Sequence, residues 1–206
     1  AAKQGGPAPE GNPRLRLAIQ NARSANLPKD NIERAIKKGS GADATDYVEV
    51  TYEGYATHGV AVLVTCLTDN LNRTVAAVRA AFSKHGGNLG KSGSLAFLFV
   101  KQGIFSIKQE AIIDEEAMTL ALIEVGATAI EKEEDYAYVS CPLEAFGGIQ
   151  KALEALSIAI DDATVQYIPN ATVTLTHEAA AQVMRLVDAL EENEDVQRVF
   201  HNMAHA

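Results

Sequence analysis

The segment Thr68–Val100, TDNLNRTVAAVRAAFSKHGGNLGKSGSLAFLFV, decides the local fold because it encodes a helix between two strands. An apolar run ending at Leu67 predicts the first strand. Asp69 and Asn70 are suited to cap the helix, since their side-chain oxygens can accept from free amides of its first turn. Gly86-Gly87 predicts its end. We therefore expect a β-α-β unit whose second strand is Ser94–Val100.

The loop after this helix is rich in glycine and carries one lysine, Lys91. Glycines let backbone amides approach an anion, and a lysine adds a positive charge. A Walker A loop is excluded, because His85 stands where that motif needs glycine and the loop follows a helix instead of opening one. Two interpretations stay open: a simple helix-to-strand turn, or an anion-binding loop that uses Gly86, Gly87, Asn88, Gly90 and Ser92.

The composition is that of a globular protein. The chain has 206 residues, of which 47% are hydrophobic and 22% charged, with a net charge of −9. It contains no apolar run of the ~20 residues that a membrane span needs. Cys66 and Cys141 lie far apart in strand-like runs, which favours free thiols in a cytoplasmic protein. The first residues resemble no signal peptide, and we expect further residues to precede Ala1.

The charges are distributed unevenly along the chain. Residues 1–40 carry eight Lys or Arg against three Asp or Glu, which gives a net charge of +5. Residues 41–100 have a net charge of −1, and residues 101–206 a net charge of −13. A basic first part and an acidic last part predict a polyanionic partner for the first part only.

Two short helices are predicted at the N-terminus, followed by a linker at Gly39–Asp46. Asn12-Pro13 is a typical helix start, and Asn26-Leu27-Pro28 separates the two helices. The basic residues of this segment are Arg14, Arg16, Arg23, Lys29, Arg34, Lys37 and Lys38.

The rest of the chain alternates strands and helices. Between residues 101 and 169 the predicted order is β-α-β-β-α-β, the ferredoxin-like pattern. Residues 58–100 and the tail from Ala171 each predict only β-α-β, and together they would make a second unit of that kind. We therefore expect an α+β protein with a remainder of an N-terminal helical domain at 1–46, a discontinuous central α/β domain at 47–100 and 170–206, and an inserted ferredoxin-like domain at 101–169.

Catalytic and metal-binding motifs are incomplete in this sequence. His177-Glu178 begins a zinc-protease motif whose second histidine is replaced by alanine. His201 and His205 at the chain end, and the acidic group at 131–135, are better interpreted as a tail and a solvated turn. No nucleophile motif is present. We therefore expect no enzyme, no cofactor and no bound metal.

Several motifs resemble one known family. NPRLRLAIQNARSANLPKDNIERAIKKGSG at Asn12–Gly41, the turn Tyr52–Tyr55, the segment Thr68–Phe99 and EDVQRVFHNM at Glu194–Met203 are similar to the YebC/PmpR family, which includes mitochondrial translational activators of cytochrome c oxidase. The resemblance covers nearly the whole chain and is weakest over 101–169. It implies three domains, a bacterial cytoplasmic location and no known catalysis. Family members usually open with a basic segment that is not part of this sequence.

The resemblance and the charge pattern together predict a nucleic-acid-binding regulator of gene expression. The basic residues of the helical segment would contact phosphates, and Arg73, Lys84 and Lys91 would add a second patch. Tyr47, Tyr52, Phe82, Phe97 and Phe99 fall at core-like positions, so no aromatic surface for base stacking is expected. DNA and ribosomal RNA are both possible targets, since family members are named as transcriptional regulators while the organellar branch acts on translation at the ribosome.

Two other classes of function stay open. The first is a protein-interaction module, because ferredoxin-like units often associate through sheet edges or helix faces. The second is a binder of small phosphate ligands at Gly86–Ser94, which the failed Walker pattern disfavours. The sequence predicts no membrane partner and leaves the oligomeric state open.

Overall fold

The computed structural model describes residues 1–41 and 46–204, so part of the predicted linker and His205 lie outside the described residues. Its helices and strands follow in chain order as α1 Ala2–Gly5, α2 Pro13–Ser24, α3 Lys29–Ser40, β1 Val48–Tyr55, β2 Ala61–Thr68, α4 Leu71–Lys84, β3 Asn88–Leu89, β4 Phe99–Lys108, α5 Glu115–Glu124, β5 Ala129–Glu133, β6 Tyr136–Pro142, α6 Phe146–Ala155, β7 Ile160–Pro169, α7 His177–Glu191 and β8 Val196–His201. Short 3₁₀ turns join several of these elements.

The chain forms two compact units, each made of two separate stretches of sequence. One unit combines Ala1–Thr45 with Lys101–Gln166, and the other combines Asp46–Val100 with Tyr167–Ala206. Each unit contains one four-stranded sheet. The three-domain boundaries at 46, 100 and 169 stay a prediction.

The inserted sheet has the strand order β5-β6-β4-β7, with β6 antiparallel to both β4 and β5. This is the order that a β-α-β-β-α-β chain adopts in the ferredoxin-like fold. Helices α5 and α6 contribute Met118, Leu122, Ile149 and Leu153 to its core, all fully buried. The α+β class and the ferredoxin-like insert predicted from the sequence are confirmed.

The sheet of the other unit has the order β3-β1-β2-β8. Its central strand β2 is buried along most of its length, which explains the apolar run before Thr68. Val78 and Phe82 of α4 and Leu186 and Leu190 of α7 pack in the same core. The predicted N-cap of helix α4 is confirmed, because Asn70 Oδ1 accepts a hydrogen bond from the backbone amide of Arg73 at 3.1 Å.

Three predictions about this sheet are wrong. Residues Tyr52–Tyr55, which were predicted to form a turn, are the end of strand β1, and Gly54 pairs with Val62 of β2. The position requires glycine because a Cβ there would lie 2.6 Å from the Phe82 ring and 2.7 Å from the Asn88 carbonyl oxygen. Strand β1 therefore pairs with β2 along its whole length, from Val48 to Tyr55.

The predicted tail strand Ala171–Thr176 is reduced to one bridge, between Val173 and Met203. The side chain of Asn202 explains this, because its Oδ1 accepts from the amide of Ala61 at 2.8 Å and its Nδ2 donates to the carbonyl of Ala171 at 3.3 Å. These contacts stabilise an irregular segment beside the sheet.

The predicted strand Ser94–Val100 begins only at Phe99, and the residues before it form turns. The amides of Leu95 and Ala96 donate to the carboxylate of Glu53 and are unavailable for strand pairing. The short strand β3 inside the glycine-rich loop pairs with β1 and was not predicted.

Candidate nucleic-acid interface

Helix α2 is fixed along one face to the edge strand β7 of the same unit. Asn21 Nδ2 donates to the carbonyl of Ala163 at 2.9 Å, and the side chains of Gln20 and Ser24 donate to the carbonyls of Ile160 and Asp161. Leu17 packs against the insert core on the same side. The spacing of three and four residues places these groups on one face of a helix. The helix therefore has a fixed orientation and also covers an otherwise unpaired sheet edge.

The two arginines of α2 that were predicted to share a face, Arg16 and Arg23, are both exposed. They lie beside the docked face and point away from the insert core, because a helix advances about 100° per residue. Arg14 is also exposed and donates to the side chain of Gln4 at 2.9 Å.

Helix α3 presents basic residues on its outer face. Ile32 is buried, whereas Arg34, Lys37 and Lys38 are exposed. Lys29 Nζ lies 3.6 Å from a carboxylate oxygen of Glu33 on the same helix. Within residues 1–41 and 46–204, no ion pair joins the five side chains Arg16, Arg23, Arg34, Lys37 and Lys38 to a carboxylate.

The glycine-rich loop holds an anion that belongs to the protein. Glu53, only 5% exposed, accepts from the amide of Gly93 at 2.7 Å, from Leu95 at 2.6 Å and from Ala96 at 3.1 Å. Successive amides that converge on one carboxylate form a backbone anion site. The carboxylate thus fixes the turn that precedes β4.

The residues predicted to bind an external anion have other roles here. The amides of Gly86, Gly87 and Gly90 donate to the carbonyls of Ser83, Phe82 and Glu53. Asn88 belongs to β3. Ser92 and Lys91 are exposed. Binding of an external anion by this loop stays a prediction, and three of its five assigned amides already have acceptors.

Arg73 is engaged within its own unit. Its Nη2 lies 2.7 Å from Asp195 Oδ1 and 2.8 Å from Asp69 Oδ1, and its Nε donates to Asp195 Oδ2 at 3.2 Å. Hydrogen bonds to Asp195 and Asp69 raise the pKa of the Arg73 guanidinium. The predicted phosphate contact of Arg73 is untested, but these two carboxylates already neutralise much of its charge.

Asp195 also ends a chain of hydroxyl groups. The Thr74 hydroxyl donates to Asp195 Oδ2 at 2.7 Å and lies 2.7 Å from the Thr68 hydroxyl, which accepts from the Asn70 amide at 2.9 Å. Thr68 and Thr74 are fully buried. The hydrogen bonds in such a chain polarise one another, so each bond strengthens the next. The hydrogen bonds from Arg73 and Thr74 lower the pKa of Asp195.

This network lies beside an open cleft of about 570 Å³, lined by Tyr47, Leu67, Asp69, Arg73, Asn193, Glu194 and Asp195. Burial raises the pKa of the nearby Cys66 thiol to about 11, with a further contribution from the Asp195 charge. Sequence reasoning missed the cleft because Asp69 and Asp195 are far apart in the chain. Within the described ranges, no three His, Cys, Asp or Glu residues come together as a metal site.

The remaining predicted cations of the central patch are Lys84 in the last turn of α4 and Lys91 in the loop. Both side chains are exposed. Across residues 1–41 and 46–204, no helix is both long and apolar enough to cross a membrane.

These features define an α+β protein in which a basic helical segment accompanies two four-stranded sheets. Family models identify it further: the TACO1/YebC N-terminal domain matches residues 1–42, and the TACO1/YebC second and third domain matches residues 47–203. The chain therefore belongs to the TACO1/YebC family, as the sequence motifs predicted.

Individual relatives agree with this assignment. A probable transcriptional regulatory protein of Amoebophilus asiaticus is 58% identical over all of this chain and 85% of its own length. A protein of the same description from Anaeromyxobacter dehalogenans is 48% identical over 99% of this chain and 87% of its own. The crystal structure of the conserved hypothetical protein Aq1575 from Aquifex aeolicus is 43% identical, with a TM-score of 0.82 over 99% of this chain and 84% of that one. The chain is thus similar over its whole length to proteins that are named probable transcriptional regulatory proteins.

Proposed function

We propose that this protein is a non-enzymatic, nucleic-acid-binding regulator of gene expression that acts in the cytoplasm through the basic faces of α2 and α3. The observation that carries the proposal is the set of five exposed basic side chains without a carboxylate partner in the described residues, namely Arg16, Arg23, Arg34, Lys37 and Lys38. The names of the relatives support a regulatory role.

The chemistry of these side chains matches the phosphate backbone. Arginine offers two parallel donors to a phosphate, and lysine offers a point charge. Hydrogen bonds from α2 to β7 fix the helix axis, so binding would cost little ordering of the backbone. Contacts of this kind position a protein on nucleic acid but do not select a sequence. Lys84 and Lys91, both exposed, are a separate predicted set of phosphate contacts within their own unit.

The test is charge reversal on α2. Arg16→Glu with Arg23→Glu should weaken binding to labelled DNA and RNA of any sequence by at least about tenfold at low salt. It should also reduce the slope of log affinity against log salt by about 2, since each lost phosphate contact removes roughly one counterion release. Fluorescence anisotropy over a salt series measures both quantities.

The matched control is Arg185→Glu with Arg198→Glu. These arginines are also exposed, and the change in net charge is the same, but they lie on α7 and β8. The control should lose far less affinity. If the two double variants bind equally well at low and moderate salt, the helical segment is not the interface.

A ribosome-associated translation factor is the second candidate, and the charge of the insert favours it. Residues 101–166 carry thirteen Asp or Glu against four Lys or Arg. An acidic surface is repelled by long duplex DNA but complements basic ribosomal proteins. The basic helices would then contact ribosomal RNA.

Sedimentation of a cell lysate through a sucrose gradient separates the two candidates. Co-migration with ribosomes that survives DNase and is lost with RNase would establish the translational role. Migration away from ribosomes, together with a steep salt slope on DNA fragments, would establish the transcriptional role. A protein that binds no nucleic acid in either assay would instead be a protein-interaction module.

A further inference from the structure

Phe97 is an exposed aromatic side chain where the sequence predicted a core position. It is 71% exposed, whereas Leu95 and Phe99 on either side are 2% and 6% exposed. A single exposed apolar residue is common on protein surfaces. Phe97 differs because the buried side chains of Leu95 and Phe99 fix the backbone on either side of it.

The backbone around Phe97 is held on both sides. Before it, the carboxylate of Glu53 accepts from the amides of Gly93, Leu95 and Ala96. After it, the Asn170 side chain donates through Nδ2 to the carbonyl of Phe97 at 2.9 Å, and the Asn170 backbone amide donates to the carbonyl of Leu98 at 2.9 Å. The ring is therefore presented on a preorganised loop, which reduces the entropy lost when a ligand binds.

The charge of the loop is positive. Lys91 is the one charged residue in the sequence from 86 to 100, and its side chain is exposed. The carboxylate that lies beneath the loop, Glu53, is buried and hydrogen-bonded to three amides. Ser92 and Ser94 are also exposed, and their hydroxyl groups can donate hydrogen bonds. The loop thus offers an aromatic face, a cation and small polar groups.

We propose that the loop from Gly90 to Leu98 binds single-stranded nucleic acid, with an unpaired base stacked on Phe97 and a phosphate near Lys91. The pairing of an aromatic face with a cation is the chemistry by which proteins hold single strands without reading their sequence. A duplex does not offer a free base face, so the site distinguishes single strands from duplexes. The inference rests on the proposed function and names the form of nucleic acid that it takes.

The experiment compares two labelled strands of about 12 nucleotides, one of thymidines and one of abasic residues with the same backbone. Wild-type protein should bind the thymidine strand more tightly. Phe97→Ala and Phe97→Leu should weaken that binding about 5- to 150-fold and leave abasic binding unchanged, because stacking needs both a ring and a base. Phe97→Trp should retain wild-type affinity.

Leu120→Ala is the matched control, since Leu120 is 63% exposed on α5 and lies outside the loop. It should bind both strands like wild type. Lys91→Ala should lower the salt slope on both strands by about 0.7, the value for one phosphate contact on a single strand.

The outcomes separate this inference from the proposed function. If Phe97→Ala binds thymidine strands like wild type while the Arg16 and Arg23 reversal weakens binding, the stacking site is wrong and the basic interface stands. An equal loss on thymidine and abasic strands also contradicts stacking. If wild-type protein binds neither strand nor any duplex, both proposals fail.

Discussion

At the scale of single residues, Glu53 determines more of the local structure than its place in the sequence indicates. It lies in β1, yet its carboxylate organises a loop about forty residues away by accepting from three backbone amides. The glycines and the lysine predicted an anion-binding loop as one of two alternatives, and binding of an external anion there stays a prediction. The bound anion is a side chain of the same unit, which no local pattern reveals.

Replacing Glu53 by glutamine should destabilise the protein by about 2–3 kcal/mol, because charge-assisted hydrogen bonds are lost and buried amides are left facing an NH₂ group. Urea unfolding measures the change in free energy. Hydrogen exchange should accelerate at Gly93, Leu95 and Ala96. Glu131→Gln is the control, since Glu131 is exposed on β5. An unchanged unfolding midpoint for the Glu53 variant would show that the carboxylate does not stabilise the loop.

At the scale of elements, Asp195 joins the start of β8 to the first turn of α4. Its carbonyl accepts from the Leu67 amide at 2.8 Å, and its carboxylate accepts from Arg73 and Thr74. Strand β8 is far in sequence from β2 and α4, which follow each other in the chain, and this polar network stabilises the alignment of all three. The two quoted motifs that begin at Thr68 and Glu194 thus meet in space.

This network makes stability depend on pH. The pKa of Asp195 is lowered in the folded protein, so its contribution is present above the ordinary value of about 3.9 and is lost as the pH falls through the lowered value. Asp195→Asn should be less stable at pH 7 by about 1–2 kcal/mol, mainly through the bond from the buried Thr74 hydroxyl, because solvent screens the exposed ion pair.

Acid titration of unfolding, followed by circular dichroism, tests this assignment. The Asp195→Asn variant should show a flatter loss of stability below pH 4 than wild type. Asp188→Asn, on an exposed position of α7, should follow the wild-type curve. Parallel curves for wild type and Asp195→Asn would place the acid sensitivity elsewhere.

At the scale of the whole molecule, each compact unit carries one buried free cysteine: Cys66 in one and Cys141 in the other. Burial raises the pKa of both thiols, that of Cys66 to about 11. At pH 8 the Cys66 thiol is therefore protonated as well as buried, so neither ionisation nor access favours its reaction.

Native protein should therefore show almost no labelling by a thiol-specific reagent at pH 8, and both thiols should react after denaturation. Because each unit has its own core, we expect each cysteine to become reactive when its own unit opens. Peptide mapping after brief labelling across a urea series distinguishes the two sites. Rapid labelling of either cysteine in native buffer would contradict its burial.

The sequence by itself determined the features that depend on short-range chemistry. The Asn70 cap, the glycine stop after α4 and the order of elements in the insert are local signals, and each was predicted. The basic character of the helical segment was equally plain. The segment Arg14–Lys38 carries its charges whatever the fold.

Only the tertiary structure decided which distant groups meet. It placed the Glu53 carboxylate under the loop and paired Arg73 with Asp195, 122 residues away. It also left Phe97 exposed between Leu95 and Phe99, which are buried two positions away on either side. Hydrogen bonds to side chains and strand pairing depend on contacts that close long loops of chain. A local pattern holds no information about the partner at the other end, so these contacts follow from packing of the whole unit.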